Sequence, residues 1–271
     1  MPELPEVETT RRGIAPHVVG RRVADVAVRQ PRLRYPVPPR LASRLRGREV
    51  VEVGRRGKYL WLRFDHGALV VHLGMSGSLC LVAAGRDPGK HDHVDIEFEG
   101  GTRLRLHDPR RFGSVTWADG DPLRHPLLAG LGIEPLDDAM NGDYLHRRSR
   151  GRRASVKQFI MDNRILTGVG NIYANEALYA AAISPLRAAG RVSLERYTSL
   201  AAAIQEVLQA AIRAGGTTLR DFHHGEGRPG YFGRELLVYQ REGDACGRCV
   251  CSMRAHRRGQ RSSFYCAGCQ R

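Results

Sequence analysis

Apolar and polar positions change period about halfway along the chain. Pro5 at a first-turn position, followed by Glu6 and Glu8, predicts a helix start, and the helix should run to about Ile14. Two-residue alternation then takes over. Leu60, Leu62 and Phe64 fall on one face of the segment from Lys58 to Phe64, and Ala68 to Leu73 is a further apolar run. Val94, Ile96 and Phe98 alternate, as do Leu104 and Leu106, and Glu99-Gly-Gly-Thr102 between them predicts a hairpin. Beyond about residue 140 the period becomes helical. Helices are predicted over Tyr144–Ile160, Asn171–Ala182 and Ser193–Ala214, with Gly168 and Gly170 punctuating the region. Leu194, Tyr197, Leu200, Ala201, Ile204, Leu208 and Ile212 keep helical spacing in the last of them. The stretch after Gly215-Gly216, rich in Gly, His and Arg up to Phe232, reads as a loop, and a cysteine-rich tail follows. No internal repeat is visible. A domain boundary is expected near Gly130 to Leu136, so a mostly β part with one leading helix precedes a helical part.

Composition adds a partner class. The 271 residues suffice for two domains, and 42% apolar content supports buried cores. Lys plus Arg number 43 against 28 Asp plus Glu, a net charge of +15, which points to a polyanion such as nucleic acid. The first residues, MPELPEVETTRR, lack the apolar segment of a signal peptide. No apolar run reaches the roughly 18 residues needed to cross a bilayer. The richest helix, around Leu200 to Ile212, is interrupted by Gln205, Glu206 and Gln209. A cytosolic location is therefore expected, and in a reducing cytosol six cysteines suggest metal ligands rather than disulfides.

The tail carries the strongest single motif. Cys246-x2-Cys249-x16-Cys266-x2-Cys269 has zinc-ribbon spacing, in which each two-residue gap forms a knuckle and the longer gap suits a β-hairpin. Cys251 lies two residues past Cys249 and could in principle replace a ligand, but Cys249 preserves the knuckle. Cys80, in a strand-like segment, reads as a buried thiol. Four thiolates close a tetrahedral shell, so one structural Zn2+ is expected, and it should supply the folding energy of so short a tail. Arg254, Arg257, Arg258 and Arg261 lie between the knuckles and suit a phosphate backbone, or equally a solvated charged loop.

These pieces, taken in order, resemble formamidopyrimidine-DNA glycosylase along nearly the whole chain. The matching stretches are Pro2-Glu-Leu-Pro-Glu-Val7, Gly57-Lys58-Tyr59, His72-Leu-Gly-Met-Ser-Gly77, Lys90-His-Asp-His93 and Asp108-Pro-Arg-Arg-Phe-Gly113. Further on come Gly168-Val-Gly-Asn-Ile-Tyr173, Gly215-Gly-Thr-Thr-Leu-Arg-Asp-Phe222 and the cysteine tail. The resemblance implies an α+β multidomain fold. Residues 1–132 would be an N-terminal catalytic β-sandwich with a leading helix, and 133–232 a helix–two-turn–helix DNA-binding domain with a lesion-closing loop. Residues 233–271 would be a β-hairpin zinc finger. It also implies a bifunctional glycosylase and strand-cleaving lyase for oxidised purines, acting on double-stranded DNA with oxidised bases or abasic sites; one active site per chain makes a monomer the simplest expectation.

The same resemblance assigns residues. Met1 should be removed, leaving Pro2 with a free secondary amine whose reference pKa is about 8, so that part of it is unprotonated at neutral pH. Pro2 would attack the sugar, with Glu3 as proton shuttle, Lys58 on the phosphate and leaving groups, and Arg261 gripping phosphate for δ-elimination. Glu6 would play a supporting part, through the helix terminus or internal hydrogen bonds. Because chemistry at a stacked nucleotide requires extruding it, Met75, Arg110 and Phe112 match the intercalating triad that fills the gap. His72, His91 and Arg152 match DNA-binding positions. Asn171 opens a helix after a glycine turn and could hold a phosphate, and Lys157 is a further contact candidate. Thr217, Thr218 and Arg220 fall in the lesion loop. Two competing readings are an endonuclease VIII-like enzyme for oxidised pyrimidines and a non-catalytic DNA-binding paralogue. Leu4 and the Met75, Arg110, Phe112 set favour the purine enzyme over the first, and the intact Pro2, Glu3 and Lys58 argue against the second.

Overall fold

The structure, a computed structural model, describes residues 2–83, 85–217 and 236–271. They divide into two compact units. Residues 2–130 with 212–217 form one, and 131–211 with 236–271 form the other.

The first unit opens with helix α1 (Leu4–Val18) and continues through β1 (Val23–Val28), α2 (Leu41–Leu45), β2 (Glu52–Arg56), β3 (Tyr59–Phe64) and β4 (Gly67–His72). It ends with β5 (Ser78–Val82), β6 (Asp92–Phe98), β7 (Arg103–His107), β8 (Ser114–Asp119) and α3 (Pro126–Ala129). The strands make two antiparallel four-stranded sheets, ordered β1-β6-β7-β5 and β2-β3-β4-β8. Leu60, Leu62 and Phe64 of one sheet and Val94, Ile96 and Phe98 of the other join a single buried cluster, so the predicted alternation does build the sandwich core. Each such side chain removed from water contributes about 1.5–3 kcal/mol. The Glu99–Thr102 turn joins β6 to β7 with both glycines at positive φ, as a tight hairpin requires. Helix α1 runs one turn past its expected end at Ile14, through Pro16. A proline there removes only one backbone donor, and Val18 is buried in the same cluster as Ile14.

The second unit contains α4 (Gly142–Ser149), α5 (Val156–Ile160), α6 (Asn171–Ala180) and nearly all of α7 (Leu194–Arg213), followed by the hairpin of β9 (Met253–Arg258) and β10 (Arg261–Cys266). The continuous helix expected over Tyr144–Ile160 is instead two. Gly151 takes φ +73°, and Ser155 caps a new helix by accepting the Gln158 N–H at 3.3 Å. The local capping box outcompetes continuation of the apolar stripe. Among the described residues, no helix is long and apolar enough to cross a membrane.

Candidate active site and metal centre

The start of α1 is a buried acidic turn. Pro2, Glu3 and Glu6 are all buried. The Glu3 N–H donates to Glu6 Oε2 at 2.8 Å, which satisfies a donor that the first helical turn would otherwise leave orphaned. The other oxygen, Glu6 Oε1, accepts from the Thr217 N–H at 2.9 Å and its hydroxyl at 3.0 Å. One carboxylate thus ties the turn bearing Pro2 and Glu3 to Thr217, 211 residues away in sequence. Gly216 permits this approach: it has φ +81°, and a Cβ there would sit 3.1 Å from Glu6 Oε1. Thr218 and Arg220 lie outside the described residues.

Lys58 is buried and follows Gly57, whose φ of +56° makes the turn between β2 and β3. His72 ends β4 opposite Tyr59, with ring centroids 4.7 Å apart. Burial, reinforced by the charges of Lys58 and Arg34, lowers the His72 pKa to about 4. The ring is therefore neutral at physiological pH. Its Nδ1 accepts the Gly74 N–H at 2.9 Å, which leaves Nε2–H as a donor.

The three expected wedge residues come from two loops that meet backbone to backbone. A Cβ on Gly74 would lie 2.4 Å from Gly113 N, so only glycine lets the His72–Gly77 loop approach the Asp108–Gly113 loop this closely. Met75 and Phe112 are 39% and 50% exposed, so each of the two loops presents an apolar side chain at the surface. Arg110 Nε donates to Ser76 Oγ at 2.9 Å. The second loop is anchored by buried Asp108, whose Oδ2 accepts the Gly113 N–H at 2.8 Å, and by His93 Nε2, 2.8 Å from the Asp108 carbonyl. His91 packs edge-on against the rings of His93 and His107.

In the second unit, Lys157 is buried, and its Nζ donates to the Ser262 carbonyl at 2.7 Å and to Ser263 Oγ at 3.1 Å. It joins α5 to β10 and, with Arg261, Arg258 and His256, lines a cavity of about 300 Å3. Arg152 lies over the Phe159 ring at 5.6 Å and 3.7 Å from Asp162. Of the neighbouring arginines, Arg150 is committed to internal bonds with the His146 and Val192 carbonyls. Asn171 begins α6 after Gly170, and its Oδ1 is buried with no hydrogen-bond partner among the described residues. First-turn N–H groups at such a terminus attract anions.

The sulfurs of Cys246, Cys249, Cys266 and Cys269 all lie within 4.8 Å of one another. Three of their separations, 3.4, 3.5 and 3.8 Å, approach the roughly 3.8 Å edge of a tetrahedron with Zn–S bonds of about 2.3 Å. The donor set fits one structural zinc. Cys251 is exposed and outside this group, so the two-residue knuckle holds. Cys80, expected to be buried, is only half-buried in β5, and burial raises its thiol pKa.

Several contributors escaped sequence reasoning. Asn175 Oδ1 accepts the Phe264 N–H at 2.9 Å, fastening the hairpin to α6. Glu176 accepts the N–H groups of Leu237, Val238 and Tyr239 at 2.8–3.0 Å. The available signal was two adjacent polar residues in an otherwise apolar helix, Asn-Ile-Tyr-Ala-Asn-Glu-Ala-Leu-Tyr-Ala. Buried polar groups need partners, so such a pair marks a contact with another segment.

Comparison with known proteins agrees with this geometry. Residues 1–115 match the model of the formamidopyrimidine-DNA glycosylase N-terminal domain, and residues 131–223 match the formamidopyrimidine-DNA glycosylase H2TH domain. Formamidopyrimidine-DNA glycosylase from Methylococcus capsulatus is 59% identical over 271 residues, covering 100% of both chains. The crystal structure of the MutM (Fpg) protein from Thermus thermophilus superposes with a TM-score of 0.88 at 39% identity, covering 99% of this chain and 98% of that one. Lactococcus lactis Fpg in complex with abasic-site-containing DNA gives a TM-score of 0.91 at 30% identity, covering 99% of each chain. The chain belongs to the formamidopyrimidine-DNA glycosylase family.

Proposed function

We propose that this protein excises oxidised purines from double-stranded DNA and cleaves the resulting abasic site through a Schiff base on Pro2. The observation that carries the reading is the buried Pro2–Glu3–Glu6 turn, in which Glu6 fixes the backbone beside the nucleophile and Glu3 stands next to it for proton transfer. With Met1 removed, the Pro2 nitrogen attacks C1′. The C1′–N bond breaks, and its electron pair leaves with the base, which takes up a proton. The nitrogen then loses its own proton, its lone pair opens the C1′–O4′ bond and O4′ takes up a proton, leaving an iminium; on a secondary amine this has no N–H to lose, so its charge acidifies the C2′ proton. Glu3 accepts that proton, the 3′ phosphate departs, and a second elimination assisted by Arg261 releases the 5′ phosphate. Lys58 stabilises the phosphates.

Met75, Arg110 and Phe112 occupy the gap left by the extruded nucleotide. His72, His91, Arg152, Asn171 and Lys157 hold or support the backbone. Thr217, Thr218 and Arg220 belong to the segment that closes over the lesion, and Thr217 ties that segment to Glu6. Zinc bound by the four cysteines supplies structure to the tail and takes no part in the chemistry. On this reading residues 1–132 perform catalysis, 133–232 bind DNA and 233–271 form the finger. The protein works as a monomer in the cytoplasm, on the nucleoid.

Borohydride reduction in the presence of an 8-oxoguanine:C duplex is expected to trap a covalent protein–DNA adduct, and Pro2→Gly to reduce or abolish it. A parent protein that forms no adduct refutes the lyase. Preference for a thymine-glycol duplex would move the substrate to oxidised pyrimidines.

A further inference from the structure

Glu8 sits on α1, less than two turns from Glu3, and is 8% exposed. Arg11, Arg12 and Arg55 surround its carboxylate. Arg11 donates at 2.8 and 3.0 Å, Arg12 at 2.8 Å, and Arg55 Nε at 3.2 Å. Burial would raise the Glu8 pKa, but the hydrogen bonds of Arg11 and Arg12 and the charges of Arg11 and Arg55 hold it at about 2. The group is therefore an anion throughout the range in which the protein works.

Arg55 makes a second bond in another direction. Its Nη1 donates to the Gly57 carbonyl at 2.9 Å. That carbonyl belongs to the peptide whose nitrogen is Lys58, in a turn that depends on Gly57 at positive φ. A planar guanidinium carries its Nε and Nη donors in a rigid fork and so holds two separated acceptors at a set angle, whereas the donors of an ammonium share one freely rotating nitrogen. At 11% side-chain exposure, the Arg55–Glu8 pair is shielded from solvent and salt far more than a surface pair.

We propose that Arg55 is a positioning residue, which fixes the Gly57–Lys58 turn against the helix carrying Pro2 and Glu3. The inference rests on the function proposed above. It adds that the Lys58 ammonium is registered to the nucleophile by this relay and not by the β2–β3 turn alone. Misplacing a reacting group by about 1 Å costs on the order of a hundredfold in rate.

The test uses R55K, R55A, K58A and the R55A/K58A double variant of the zinc-loaded full chain. Single-turnover excision, borohydride trapping and duplex affinity are measured on 8-oxoguanine DNA. R55K keeps the pairing with Glu8 but not the simultaneous grip on Gly57. It is expected to fold normally, bind DNA within about threefold of the parent and react roughly ten- to a hundredfold more slowly. In the double variant, losing Arg55 should add almost nothing to the loss from K58A, because the two act through one group. R55K reacting at the parent rate, or an R55A effect that adds in full to K58A, overturns the proposal while leaving the proposed chemistry intact. K58A reacting at the parent rate overturns both. If R55A does not fold, the R55K comparison alone decides.

Discussion

His72 shows how packing around one side chain fixes its charge. Its ring stacks near Tyr59, accepts the Gly74 N–H and stays neutral beside the Lys58 charge. The folded-state pKa of about 4 lies below the ordinary histidine value of 6.5. Between those values the unfolded chain binds the proton more readily than the folded one. Its stabilising contribution is therefore complete above pH 6.5 and is lost as pH falls towards 4. The full shift corresponds to about 3 kcal/mol. His72→Asn keeps an acceptor for Gly74 but does not titrate in this range. In urea unfolding followed from pH 7 to pH 4, the parent should lose about 3 kcal/mol more than the variant. Parallel curves would show that His72 does not titrate as its surroundings require. Nothing in the pattern of apolar residues exposes this behaviour, because it depends first on burial in the folded chain and then on Lys58 and Arg34 arriving from separate segments.

At the scale of elements, the cysteine tail depends on both the ion and the helices it meets. Cys246, Met253 and Cys266 share a small buried cluster with Tyr179 and Val238, while Asn175 and Lys157 bond directly to β10. Binding free energy of order 10–16 kcal/mol is typical for structural zinc, far more than so small a cluster contributes. Chelation should therefore melt the hairpin, release one zinc per chain and abolish duplex binding, while the β-sandwich keeps its own thermal transition. Duplex affinity that survives zinc removal would dismiss the finger as a DNA-binding element. The tail was legible in sequence because thiol spacing is a local code. So were the strands whose side chains alternate strictly. β1 was not, because a bulge between Val23 and Asp25 breaks its period and leaves Val23 and Val26 as its buried residues. The Tyr144–Ile160 helix was misjudged for the opposite reason, since the apolar stripe continued while capping chemistry ended the helix. The candidate site was legible as motifs, but its supports were not. Glu6 to Thr217 and Glu176 to Leu237–Tyr239 are contacts between distant positions, which no local pattern encodes.

For the whole molecule, a net charge of +15 overstates what is available to DNA at any one place. Arg11, Arg12 and Arg55 converge on Glu8, Arg29 and Arg105 on Asp95, and Arg103 pairs with Glu97. These arginines brace the fold. The cationic surface left for phosphates is smaller, which argues for a limited number of contacts rather than a diffuse polycation. With about six phosphates neutralised, each releasing condensed counterions, log affinity should fall against log salt with a slope near roughly −5. Replacing a cation that touches phosphate should flatten that slope by about one, and Arg261→Ala is the sharpest case. By contrast, Arg103→Ala should leave it unchanged, because that guanidinium is held within the sheet by Glu97 at 2.7 Å. Fluorescence anisotropy with a non-cleavable abasic analogue, titrated between about 50 and 200 mM salt, reads both. Equal slopes for the two variants would mean that binding follows total charge, and that the placement of individual cations described above is irrelevant to DNA recognition.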